Sequence, residues 1–87
     1  MCTYTTERAA VTGSGKGPVR WTRLDTATVY FDHPVHALAD HTLNIDLAPC
    51  NGAPSDRVAL ELTAEAALAL ADAIHAALGA VPAALTS

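Results

Sequence analysis

Three stretches of the chain alternate apolar and polar residues with the two-residue period of a half-buried strand. In 26–31, Ala27, Val29 and Phe31 share one face and Thr26, Thr28 and Tyr30 the other. In 42–47, Leu43, Ile45 and Leu47 alternate with Thr42, Asn44 and Asp46. In 58–62, Val58, Leu60 and Leu62 alternate with Ala59 and Glu61. Two earlier stretches, 2–12 and 19–24, are less regular. Their Thr, Tyr and Trp content still favours extended backbone. The period then changes. Ala67, Leu70, Ala71, Ile74, Leu78 and Val81 recur at three- and four-residue steps, with Glu65 and Asp72 opposite them. That is an amphipathic helix, started by the Thr63 hydroxyl as N-cap and stopped by Gly79 and Pro82.

These elements predict an α+β fold: an antiparallel sheet of four to five strands with one C-terminal helix packed on one face. The expected strands run over about 2–12, 19–24, 26–33, 41–47 and 57–62, and the helix over about 64–80. Glycine- and proline-rich segments at 13–18 and 48–55 read as turns. The first contains Gly15-Lys16, but Gly17 follows where a phosphate loop requires Ser or Thr. Eighty-seven residues make one domain, 1–87. The predicted core is Val29, Phe31, Leu43, Ile45, Leu60, Leu62, Leu70, Ile74 and Leu78. The opposite sheet face, with Thr28, Tyr30, Thr42 and Asn44, is expected to be wet or to meet a second copy. Although 51% of the chain is hydrophobic, alanine inflates that figure, and there is one Phe and one Trp. So light a core favours a homodimer or higher homo-oligomer.

The chemistry concentrates between the first and second of these regular strands. Three of the four histidines, His33, His36 and His41, fall within nine residues, beside Asp32 and Asp40. Strand phase places His33 and His41 on the apolar face at the mouth of a hairpin, with His36 on its loop. Imidazole suits Zn, Fe, Ni and Cu, and thiolate suits Zn. The expected metal set is therefore His33, His36 and His41 with Cys2 as fourth ligand and Zn the foremost ion. Asp32 and Asp40 are oxygen ligands or acceptors that orient an imidazole. A metal-free alternative is a small enzyme with Asp32, His36 or Asp40 in an acid–base pair. A third is a ligand-binding or assembly module, with a small-molecule ligand and purely structural histidines. Each residue also has a plain role: His33 capping a strand end, His36 in solvent, His41 bonded to an aspartate, Cys2 as a small buried hydrophobe. Cys50, in a turn, and His75, on the helix flank, stand outside the set.

A net charge of −4 with five Lys and Arg leaves no basic footprint for nucleic acid or an anionic membrane surface. The N-terminal Met-Cys-Thr-Tyr lacks the apolar region of a signal peptide, and no run is long enough to span a bilayer. A cytoplasmic setting with reduced thiols is expected. The Met-Cys-Thr-Tyr opening, the Gly-Ser-Gly-Lys-Gly turn, the phrase from Thr28 to Ala37 and the run from His41 to Asp46 together resemble a family of small actinobacterial proteins of unknown function. The resemblance covers nearly the whole chain. It implies an actinomycete origin and assigns no catalytic role.

Overall fold

The computed structural model describes residues 4–49, 52 and 54–86. Four strands, β1 (Thr5–Lys16), β2 (Trp21–Asp32), β3 (Thr42–Ala48) and β4 (Val58–Leu62), form an antiparallel meander in the order β1-β2-β3-β4. The helix α1 (Ala64–Gly79) follows directly. The α+β architecture is as predicted. Two predicted breaks are absent. The stretches 19–24 and 26–33 form one continuous strand, and β1 runs on through Gly13, Ser14 and Gly15 to Lys16. Cross-strand hydrogen bonds to β2 hold these glycines extended, and the turn itself is confined to 17–20, closed by Gly17 N–H donating to the Arg20 carbonyl at 2.9 Å.

The register aligns the apolar positions across the sheet. Val29 pairs with Ile45 and Ile45 with Leu60; Phe31 pairs with Leu43 and Leu43 with Leu62. The predicted strand phases therefore hold. Between Ala10 and Gly13 the β1–β2 register shifts by one residue, a β-bulge. Beyond it the enclosed side chain of β2 is Leu24, an even position, where Ala27 marks the odd phase before it. Leu24 lies against Gly15 and Val58: a Cβ at Gly15 would stand 2.6 Å from Leu24 Cδ1 and 3.3 Å from Val58 Cγ2. The hairpin end is tied down by Arg20, whose guanidinium donates to both Asp56 carboxylate oxygens at 3.0 and 3.2 Å.

Thr63 caps α1 as predicted, its hydroxyl accepting from Ala66 N–H at 3.1 Å. The core departs from expectation. Among the described residues only Leu24 and Ala27 are enclosed apolar side chains. The nine residues predicted as core share the correct face but stay half-buried or exposed. One helix approaching one edge of the sheet, at β3 and β4, does not cover a four-stranded face. The polar face, in contrast, is partly enclosed: Thr42 and Asn44 are buried there, and the Thr42 hydroxyl donates to Asn44 Oδ1 at 2.6 Å.

Candidate functional site

The loop 33–41 joins β2 to β3 and leads in two directions. At its ends, His33 and His41 meet on the apolar side of the sheet with ring centres 4.3 Å apart and planes tilted by 32°. His41 keeps the phase of Leu43 and stacks on Phe31, 5.8 Å away at 8°. Tyr4 meets His41 edge-on at 5.6 Å and Phe31 at 6.0 Å, placed there by the Tyr4 N–H bond to the Phe31 carbonyl. His33 Nδ1 lies 2.8 Å from the Asp40 carbonyl oxygen. A carbonyl only accepts, so Nδ1 carries the hydrogen and the lone pair of the neutral ring sits on Nε2. Asp32 Oδ1 accepts from His33 N–H at 2.6 Å and shapes the start of the loop.

The middle of the loop folds back over the polar face. Val35, His36 and Ala37 present three consecutive N–H groups to the Glu61 carboxylate at 2.6, 2.9 and 3.0 Å. Those bonds, led by that of Val35, hold the Glu61 carboxyl below its ordinary value of 4.5. Beside this clasp lies an open groove of about 580 Å³, lined by Tyr30, His36, Asn44, Asp46, Arg57 and Glu61 among others. The Tyr30 hydroxyl donates to Asp46 Oδ2 at 3.2 Å, and Arg57 Nη1 stands 3.8 Å from the same oxygen. Burial, and then the adjacent Asp46 charge, push the Tyr30 phenol above its ordinary value of 10.0.

The expected cluster is thus divided. The structure brings His33 and His41 together, while the clasp draws His36 to the polar groove. No group of three or more His, Cys, Asp or Glu side chains able to hold one ion forms among the described residues. The Cys2 ligand lies outside those residues, as does Cys50. Asp40 meets His33 through its backbone carbonyl, so the contact a carboxylate-tuned general base would use is occupied by a carbonyl. Glu61 was missed at the sequence level. A carboxylate at mid-strand on the polar face was visible, but its target lies 24 to 26 residues away along the chain. No helix among the described residues is long and apolar enough to cross a membrane.

The chain is a small α+β protein whose four-stranded meander carries a histidine pair and a polar groove on opposite faces. The chain belongs to a family of unknown function, DUF6295, whose model matches it over residues 1–87. No curated protein and no solved structure matches it.

Proposed function

We propose that this protein is a small cytoplasmic metal-binding domain that holds a divalent transition metal, Zn foremost, between His33 and His41. The observation that carries this is the ring separation of 4.3 Å together with the tie from His33 Nδ1 to the Asp40 carbonyl. Bonds of ~2 Å from one ion to a nitrogen of each ring fit that spacing. A ring hydrogen given to a backbone acceptor fixes the tautomer and raises the basicity of the other nitrogen, as metal-bound histidines require. Two imidazoles leave the coordination sphere open. Cys2 is the proposed third protein ligand, and solvent or a small molecule completes the set. His36 takes no part in this proposal, because Glu61 holds its backbone on the other face.

A second reading has its own support. His41 stacks nearly parallel on Phe31 with Tyr4 at its edge, which is how an aromatic residue covers the open end of an apolar face without any ion. His41→Phe separates the two, since it preserves the stack and removes a ligand. For a metal site, added Zn²⁺ raises the melting temperature of the wild type, and a chelator or mild acid reverses the gain, because protons compete for the imidazoles. His33→Ala and His41→Phe lose this response, while His36→Ala and His75→Ala keep it. If the wild type contains no metal as isolated and Zn²⁺ leaves its melting unchanged, the metal reading fails. Unimpaired melting of His41→Phe would then leave the aromatic role.

A further inference from the structure

Among the described residues the helix carries more exposed large apolar side chains than any strand: Leu68, Leu70, Ile74 and Leu78. Along the stripe that should face the sheet, Ala67 is half-buried, and exposure then rises step by step: Leu70 39%, Ile74 51%, Leu78 59%. The helix follows β4 directly and touches the sheet only at β3 and β4, so its stripe stays largely open to solvent. The stripe contains no charged residue, since Glu65 and Asp72 lie on the opposite side.

The whole molecule shows the same deficit. A compact chain of this length has a radius of gyration of about 12 Å; this one measures 14.4 Å, with extents of 44 × 30 × 21 Å. A monomer of 9.0 kDa exposes about 4,900 Å². This chain exposes 6574 Å², an excess of about 1,700 Å². Part of that belongs to the long β1–β2 hairpin. The helix stripe and the half-covered sheet face contribute an apolar part of it. If about half of that excess lies in the contact, a pair encloses about 1,700 Å² in total, comparable to the roughly 1,600 Å² of a standard interface.

We propose that the stripe Leu70, Ile74, Leu78 and Val81, with the half-covered apolar face of β3 and β4 beside it, is a homodimer interface whose occupant is the same surface of a second copy of this chain. Three features select a second copy over a different partner. A two-fold interface must complement itself, and an uncharged apolar stripe does so, whereas docking a basic protein onto this acidic chain would use charge at the contact. The chain encloses too little apolar surface by itself, so its partner must be present whenever it folds. Another copy meets that condition at any level of expression. The surface available for pairing is also that of a standard stable interface.

Sedimentation equilibrium of the untagged full chain, with thermal melting over a range of protein concentration, tests this without reference to metal. The expected mass is that of two chains, with a melting temperature that climbs as concentration rises. Ile74→Ala and Leu78→Ala together should raise the dissociation constant on the order of 100-fold, the scale of losing two interface anchors. Leu68→Asp, exposed at 68% but off the stripe, should leave it unchanged. Leu78→Asp should give a monomer or an unfolded chain, and either supports the interface. A mass of one chain with a concentration-independent melting temperature overturns the proposal. So does an oligomer that the Ile74/Leu78 variant leaves intact, or one that Leu68→Asp disrupts as strongly.

Discussion

Glu61 shows how one side chain can organise a loop. Its carboxylate accepts three consecutive amides, and a carboxylate stabilised in this way is worth more ionised than protonated. The sign of the pH effect follows. The folded state holds the carboxyl below 4.5, so the clasp is fully present above that pH and is lost as pH falls through the lower folded value. Amide hydrogen exchange measured by NMR should show Val35, His36 and Ala37 slow near neutrality and opening in acid beneath pH 4.5. In Glu61→Ala the three amides should exchange fast at every pH. In Glu61→Gln the acid step should vanish, because nothing titrates. Equal exchange in wild type and Glu61→Ala would mean that the loop is held by other contacts.

At the scale of the element, the β1–β2 hairpin depends on its bulge and on Gly15. The register shifts by one residue between Ala10 and Gly13, and beyond that bulge Leu24 is the enclosed side chain of β2. Gly15 leaves the room that Leu24 occupies beside Val58. Its role is one of space, not of conformation. Gly15→Ala brings a methyl to 2.6 Å from Leu24 Cδ1, and Leu24, being enclosed, has little freedom to move aside. Denaturant unfolding should show a loss of about 1–3 kcal/mol. The companion change Leu24→Ala should relieve the clash, so that the double variant loses less than the two single losses added together. Additive losses would show that the two residues do not press on each other.

At the scale of the whole molecule, charge and apolar surface act against each other in the proposed dimer. Each copy carries a net −4, and pairing two of them costs long-range repulsion that salt screens. Burial of the uncharged stripe does not depend on salt in that way. The dissociation constant should therefore fall several-fold as ionic strength rises from about 0.02 to about 0.5 M, a range over which the screening length shrinks several-fold. Sedimentation at the two salt levels reads this directly. An association that weakens with salt would place ion pairs, and not Ile74 and Leu78, at the centre of the contact.

Periodicity alone determined much of this protein. The alternation of Ala27, Val29 and Phe31 and of Leu43, Ile45 and Leu47 set the strand phases, and the stripe from Ala67 to Val81 set the helix and its apolar side. The facing of His33 and His41 followed from those phases, because a residue's side of a strand is a local property. What lay outside the reach of pattern depends on contacts distant along the chain. Gly13 and Gly15 continue a strand because β2 supplies their hydrogen bonds, overriding a composition typical of turns. His36 parts from the other two histidines because Glu61, far along the chain, captures the backbone around it. The predicted core is aligned but left open because the amount of surface one helix covers depends on its angle to the sheet, which no spacing of residues encodes.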